Sequence, residues 1–296
     1  MNSELKTEGT IVKGIGGFYY VDAPEGYFEC RARGSFRKDG ITPLVGDRAV
    51  ISVNMDSEKG SVDEILPRKN FLLRPPVANV TQMAVVIAAA NPRPNLYLTD
   101  KLLASAELAE IDTVICVNKT DVGDAEELCR IYRSAGYCVI PTCAADGTNI
   151  DLLKEKLCGA VTVFAGNSGV GKSSILNCVT ESGSFETGEV SEKAERGRHT
   201  TRHAELVRLD FGGYIIDTPG FGVIDVASLK PENCAELFRE MAPLADGCRF
   251  GDCRHRSEPG CKVLDAVKCG SIAPSRHESY IRLLGEIEVA ERRRTK

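Results

Sequence analysis

Gly166-Asn167-Ser168-Gly169-Val170-Gly171-Lys172-Ser173 has the spacing GxxxxGK[ST]. Chemistry on phosphates needs these residue types in this order. Glycines let the backbone wrap an anion with its N–H groups pointing inward, the lysine neutralises the β and γ phosphates, and the serine hydroxyl is a ligand for Mg²⁺. The flanks are those the motif requires. Val161 to Ala165 reads as a strand, and Ser174 to Cys178 continues as a helix whose N-terminus favours negative charge, so Ser174 joins the expected phosphate contacts.

Three further segments complete a nucleotide site. Asn118-Lys119-Thr120-Asp121 follows the strand-like Thr113 to Val117. A carboxylate at Asp121 accepts from both N1–H and the exocyclic amine of guanine. Adenine has no such donor pair and would leave the carboxylate unpaired. The Lys119 stem packs over the base, and Thr142-Cys143-Ala144, after the next strand, offers backbone to the base edge. Asp217-Thr218-Pro219-Gly220 ends the strand Tyr214 to Ile216; Asp217 suits the Mg²⁺ shell, and the Gly220 N–H is placed to sense a γ-phosphate.

Between these last two boxes, the polar stretch Glu195-Arg196-Gly197-Arg198-His199-Thr200-Thr201 has the character of a mobile switch. Thr200 or Thr201 is expected to complete Mg²⁺ coordination, giving Ser173, Thr201 and Asp217 as the candidate Mg²⁺ set. Phe221 stands where Ras-type sites carry the glutamine that positions water, so unassisted turnover should be slow. His199 is the candidate for that missing role, acting with Lys172, Thr200 and Thr201.

The order is unusual. The base-reading box precedes the phosphate loop, which precedes the 217–220 box, whereas ordinary GTPases begin with the phosphate loop. A circular permutation keeps the site, because a doubly wound sheet brings all the boxes to the carboxyl ends of its strands. It also joins the γ-phosphate-sensing loop almost directly to a cysteine-rich segment, which suggests that nucleotide state is transmitted there.

That segment places Cys248, Cys253, His255 and Cys261 within 14 residues. Three thiolates and an imidazole suit a closed, tetrahedral, structural Zn²⁺ site with no open position for chemistry. Cys269 is a competing candidate ligand, and His277 reads as ordinary surface. The other cysteines, such as Cys116 and Cys138, fall in apolar segments and read as small hydrophobes in a reducing compartment.

Positioning these loops requires strands that alternate with helices. Met83 to Ala89 is a continuous apolar run, as in a parallel strand covered on both faces. A helix is expected over Leu98 to Ile111 with Thr99 or Asp100 as N-cap, and another near Ala125 to Ala135. Strands are expected at Tyr137 to Ile140 and Val161 to Ala165, a short helix at Leu152 to Leu157, and a hairpin joining Leu206–Leu209 to Tyr214–Ile216 through Gly212-Gly213. Ahead of them, residues 1–67 carry short alternating segments with turns at Gly16-Gly17, Pro24-Glu25-Gly26 and Asp39-Gly40. About five strands in so short a stretch suggest a barrel of the oligonucleotide-binding (OB) kind; an SH3-like barrel has the same spacing. After residue 228, Asn233 to Met241 and Glu278 to Arg292 look helical. The expected fold class is therefore multidomain: an OB-like β-barrel at 1–70, a circularly permuted α/β P-loop GTPase domain at 71–227, and an α-helical zinc-binding domain at 228–296.

At 296 residues, 43% apolar and 27% charged, the chain reads as globular. No apolar run approaches the ~20 residues that span a bilayer, and the start lacks the layout of a secretion signal, so a cytoplasmic, membrane-free location is expected. The net charge of −5 offers no global field for nucleic acid. RNA contact would fall to local groups, Arg31, Arg33, Arg37 and Lys38 or Arg292, Arg293, Arg294 and Lys296, whose plainer reading is solvated surface.

Taken together, Arg74-Pro75-Pro76-Val77-Ala78-Asn79-Val80, NKTD, GNSGVGKSS, GRHTT, DTPGFG and CRFGDCRHRSEPGC resemble the RsgA family of circularly permuted bacterial GTPases. The resemblance covers nearly the whole chain. It implies GTP hydrolysis, with GTP/GDP, Mg²⁺ and one Zn²⁺ as cofactors, in late maturation of the small ribosomal subunit. It further implies contact with rRNA and stimulation of hydrolysis by the subunit, and it matches the zinc ligands to Cys248, Cys253, His255 and Cys261. Two departures stand out. Arg202 replaces a threonine common in the family, and residues 1–67 hold 8 basic against 11 acidic side chains. The competing reading is an RNA- or protein-binding adaptor, locked by nucleotide and with negligible turnover. In either case the chain is expected to be monomeric.

Overall fold

The computed structural model describes residues 4–34, 36, 40–55, 57–73, 76–180, 204–217 and 229–294. Five strands open the chain: β1 (Glu4–Ile15), β2 (Phe18–Ala23), β3 (Gly26–Ala32), β4 (Arg48–Asn54) and β5 (Lys59–Ile65). A short pair follows, β6 (Phe71–Leu73) and β7 (Pro76–Ala78). Next come β8 (Gln82–Ala88), α1 (Leu96–Leu108), β9 (Asp112–Asn118), α2 (Glu126–Ser134), β10 (Cys138–Pro141), α3 (Ile150–Leu157), β11 (Val161–Ala165) and α4 (Lys172–Thr180). The remainder is β12 (Glu205–Arg208), β13 (Tyr214–Asp217), a 3₁₀ helix (Pro231–Leu237), α5 (Ala242–Ala245), α6 (Lys262–Lys268) and α7 (Pro274–Arg294). The chain divides into two compact units: Met1–Gln82 with Leu157–Val163 and Glu192–Gly222, and Met83–Lys156 with Phe164–Ser191 and Val223–Lys296.

In the first unit, β1 pairs antiparallel with both β2 and β4, β2 with β3, β4 with β5, and β3 lies parallel to β5. These pairings close a five-stranded barrel. Closure through the parallel β3–β5 pair is that of an OB-type barrel and leaves no edge among its strands. The period-two alternation read from the sequence sets what fills it: Ala49, Ile51 and Val53 of β4 point inward with Val21, Phe28, Cys30 and Val62. Burial pushes the Cys30 thiol up to about 11, so it behaves as a small hydrophobe. Arg68 forks onto the fully buried Asp47 (2.6 and 2.8 Å), fixing the barrel's exit. Within the same unit, β13 pairs parallel with β11 and antiparallel with β12, the hairpin expected around Gly212-Gly213.

The second unit holds the order β10-β9-β8, with β10 and β9 parallel. Residues Met83 to Ala88 are all buried, which is why β8 reads as an unbroken apolar run. C-terminal to this α/β part, the 3₁₀ helix, α5, α6 and α7 pack around Phe238, Met241, Val263, Tyr280 and Leu284, with Ala104 of α1 in the same cluster.

Several local expectations change. The first helix starts at Leu96, capped by Asn95, whose Oδ1 accepts from the Leu98 N–H at 3.1 Å. Thr99 and Asp100 are buried inside it, and Asp100 is committed to an ion pair with Arg276. The 233–241 segment is a 3₁₀ turn rather than a helix reaching Met241. The last helix begins at Pro274, a residue that starts helices because its missing N–H is not needed there. An unforeseen helix, α6, follows Cys261. Cys138 is exposed, whereas Cys116 is fully buried. Among the described residues no helix is long and apolar enough to cross a membrane.

Candidate nucleotide site and zinc centre

The strand β11 runs into Gly166, and α4 begins at Lys172. Two of the loop's glycines are obligatory. Gly166 has φ +140° and a Cβ there would lie 2.2 Å from the Val86 carbonyl oxygen; Gly171 has φ +94° and its Cβ would meet Asn118 Nδ2 at 2.3 Å. Lys172 folds back over the loop, its Nζ donating to the carbonyls of Gly166 (2.9 Å) and Asn167 (2.7 Å). Burial lowers its pKa, a cost that an anion seated in the loop would offset. Ser168 and Gly169 are exposed, Val170 is buried, and Ser173 and Ser174 are half-buried in the first turn of α4.

Asn118, at the end of β9, is almost completely buried. Its Nδ2 donates to the Val170 carbonyl of the phosphate loop at 2.9 Å, and its Oδ1 accepts from the Ala144 N–H at 3.2 Å. One side chain thus ties together three segments separated by up to 52 residues. The chain then turns sharply at Lys119 (φ 66°), whose Nζ donates to the Asn91 carbonyl. Thr120 Oγ1 donates to the Thr142 carbonyl at 3.2 Å. Asp121 is left exposed on a loop pinned at both sides. Thr142 and Cys143 are buried, and Cys178 Sγ of α4 donates to the Ala144 carbonyl at 3.3 Å.

We expect Asn118→Ala to weaken GDP affinity by about 10- to 100-fold. It leaves the Val170 carbonyl and the Ala144 N–H without partners, at roughly 1–3 kcal/mol for each buried group. Titration with a fluorescent GDP analogue measures this, and an unchanged affinity would show that Asn118 does not organise the site.

The four residues of the cysteine-rich loop converge. Their ligand atoms, the thiols of Cys248, Cys253 and Cys261 and a ring nitrogen of His255, all lie within 4.8 Å of one another. Cys248 Sγ is 3.9 Å from Cys261 Sγ and 3.5 Å from His255 Nδ1, and that nitrogen is 3.3 Å from Cys261 Sγ. A tetrahedral Zn²⁺ with ordinary bond lengths puts sulfur about 3.8 Å from sulfur and about 3.5 Å from nitrogen. The donor set therefore fits zinc in both chemistry and spacing. Burial pushes the Cys253 thiol up to about 12 and raises that of Cys261, so gathering their thiolates calls for a cation. Burial also lowers the His255 pKa, favouring the neutral, ligating imidazole. The backbone N–H groups of Lys262 and Leu264 point at Cys248 and Cys261 sulfur (both 3.4 Å). Glu258 braces the loop by accepting from the N–H groups of Arg254, Arg256 and Ser257 at 2.7–2.9 Å.

Comparison with known proteins decides the family. Residues 65–227 match the RsgA GTPase model, and residues 8–62 match the RsgA N-terminal domain. The chain belongs to the RsgA GTPase family. A relative from Caldanaerobacter subterraneus subsp. tengcongensis, named small ribosomal subunit biogenesis GTPase RsgA, is 46% identical over 294 residues, covering 98% of this chain and 99% of the relative. The crystal structure of YjeQ from Thermotoga maritima aligns with a TM-score of 0.81 at 36% identity, over 96% of this chain and 99% of that one. YloQ, described as a circularly permuted GTPase, aligns with the same TM-score at 32% identity, over 96% of each chain. This family member is thus a GTP hydrolase whose boxes run in permuted order, with an N-terminal OB-like barrel.

Not every expected site residue falls within the described structure. The side chain of Asp217, at the carboxyl end of β13, and all of Thr218, Pro219, Gly220 and Phe221 lie outside the described residues, as do His199, Thr200, Thr201, Arg37, Lys38 and Lys296. Cys269 is not in the metal cluster; it is exposed beside Ser271 Oγ at 3.1 Å. His277 is not a free surface residue, since its Nε2 donates to the His255 carbonyl at 2.7 Å. Of the basic groups, Arg33 pairs with Asp63 at 2.9 Å and Arg31 stacks over the Phe18 ring at 4.5 Å.

Proposed function

We propose that the protein hydrolyses GTP to GDP and phosphate while bound to the maturing small ribosomal subunit, which stimulates the reaction. The observation that carries this reading is Asn118, through which the phosphate loop and both base loops share one buried side chain. The relative from Caldanaerobacter, named for small-subunit biogenesis over its full length, supplies the setting.

In this reading the backbone of 166–171 and Lys172 hold the phosphates, and Asp121 selects guanine. Mg²⁺ would be held through Ser173, Asp217 and Thr201 and would supply neutralising charge to the β and γ oxygens. With Phe221 unable to orient water, His199 takes that role when the subunit is bound. The zinc loop is structural. The barrel at 1–70 and the helical module at 228–296 flank the catalytic domain at 71–227 and contact rRNA through localised arginines, so binding weakens as salt rises. We place the protein in the cytoplasm as a monomer.

Phosphate release measured with and without purified small subunits tests the proposal. Strong stimulation is expected, and His199→Ala should lose about tenfold or more of the stimulated rate while GDP affinity stays unchanged. Equal, negligible turnover in both conditions would favour the adaptor reading instead.

A further inference from the structure

The charged side chain of Arg276, in the first turn of α7, is only 1% exposed. Its Nε and Nη2 fork onto Glu240 at 2.6 and 3.0 Å, and its Nη1 donates to Asp100 of α1 at 2.6 Å. Burial works against the guanidinium, but the two carboxylates hold its pKa well above the ordinary value, so it stays charged. Three rings enclose it: its Cζ lies 4.8 Å from the centre of Phe238, 5.7 Å from Tyr137 and 5.9 Å from Tyr132.

The positions of these partners in the chain give them meaning. Tyr132 is on α2 and Tyr137 immediately precedes β10. The α2–β10 stretch runs from the 118–121 loop to the 142–144 loop, the two segments expected to read the base. Asp100 belongs to α1, which leads into β9 and hence to Asn118. Arg239 adds a second clamp, donating to Glu107 of α1 and lying 4.6 Å over the Tyr137 ring.

The same turns of α7 also grip the metal loop. His277 Nε2 donates to the His255 carbonyl at 2.7 Å, and the Tyr280 hydroxyl donates to the Arg254 carbonyl at 3.0 Å. These contacts fix the backbone on either side of a ligand held at φ 54°. Side chains within five consecutive residues therefore hold the frame of the base loops on one side and the zinc loop on the other.

We infer that Arg276 is a positioning residue that couples guanine-nucleotide binding to zinc binding through α7. The inference rests on the guanine-nucleotide reading above. A seated base that shifted α2 or the approach to β10 would move the Tyr132 and Tyr137 rings packed on the guanidinium, to which the ion pairs with Asp100 and Glu240 leave few alternative geometries. The helix carries that constraint to His277 and Tyr280. Coupling is reciprocal: whatever factor GDP adds to zinc affinity, zinc adds to GDP affinity, typically about 5- to 150-fold between linked sites.

The test is zinc affinity, by competition with a chromogenic chelator in excess Mg²⁺, with and without saturating GDP. We expect GDP to tighten zinc binding by about fivefold or more in the wild type, with ATP having no effect. In Arg276→Met each ligand should still bind, but the factor should fall towards one. Arg276→Lys should restore part of it, and Tyr280→Phe, which removes only the hydroxyl on the Arg254 carbonyl, should lose part of it. If Arg276→Met does not fold, the lysine and phenylalanine variants carry the comparison. Zinc affinity indifferent to GDP in a wild type that binds GDP would overturn the coupling, as would full coupling in every folded variant. A wild type that binds no GDP would overturn the nucleotide reading itself and the coupling with it.

Discussion

Asp121→Asn should convert the protein from a guanine to a xanthine nucleotide binder. The carboxylate is expected to accept two hydrogen bonds from guanine, each worth roughly 1.5–3 kcal/mol because the acceptor is charged. An amide accepts only one and turns its NH₂ group against the guanine amine. The expected loss is about 3–6 kcal/mol, or roughly two to four decades in GDP affinity. Xanthine carries a carbonyl where guanine carries the amine, so the new amide donates to it and recovers much of that loss. The scaffold should survive the change: Asp121 is exposed, its side-chain partner among the described residues is the Cys143 thiol, from which an amide oxygen can still accept, and the loop is otherwise held through Asn118, Lys119 and Thr120. Titrating fluorescent GDP and XDP against both proteins measures the exchange, with ATP as control. Undiminished GDP affinity in the variant, or equal ATP and GDP affinity in the wild type, would mean that Asp121 does not choose the base.

How much of this could be read beforehand follows from how local each feature is. The phosphate loop, the base box and the zinc loop were legible because their residues are nearly contiguous and their chemistry fixes their spacing. The barrel strands were legible because burial alternates along them, as in Ala49, Ile51 and Val53. The choice between OB and SH3-like barrels was not, since it turns on β3 lying parallel to β5, a pairing between segments with no sequence signature. Asn118 showed itself only as one letter of a four-residue box. Its bond to Val170 spans 52 positions, and nothing local marks it as the residue that joins three loops.

Arg276 failed to register for the same reason on a larger scale, because its Asp100 partner is 176 residues away. That pairing also explains the misplaced helix start. Asp100 has the chemistry of an N-cap, but its carboxylate is spent on Arg276 in the interior, and the cap falls to Asn95 one turn earlier. His277 looked like surface because its partner is a backbone carbonyl, which carries no residue identity to search for. These misses share a cause. Single polar residues acquire a role only when a distant segment arrives, and periodicity reports apolar faces rather than polar partners.

The permuted order bears on this arrangement. Placing the base box ahead of the phosphate loop leaves α1, α2 and β10 early in the chain, with the phosphate loop and the C-terminal module after them. Residues of α7 then return to α1 and α2 over more than 140 positions, closing the α/β part and the zinc module around common clusters. The Cys/His loop is thereby built into the same compact unit as the 118–121 and 142–144 loops, so the loss of a metal held there is expected to be felt well beyond those four side chains.

Cys261→Ala is the variant that measures this. Cys261 is 1% exposed and belongs to the C-terminal core cluster. If it were only a small core hydrophobe, removing its sulfur would cost about 1 kcal/mol and leave any metal in place. As a zinc ligand it does far more. Structural zinc contributes roughly 10–16 kcal/mol in small zinc-folded peptides, and three remaining ligands do not close a tetrahedral site. The same sulfur accepts from the Leu264 N–H at 3.4 Å and so caps α6, which would lose its start along with the metal. The expected result is that zinc falls from one per chain to about a tenth or less by elemental analysis, with an early melting transition for the C-terminal module. Cys269→Ser should leave zinc content and melting unchanged, since Cys269 is exposed and outside the cluster. Full zinc retention in Cys261→Ala would overturn the four-ligand site.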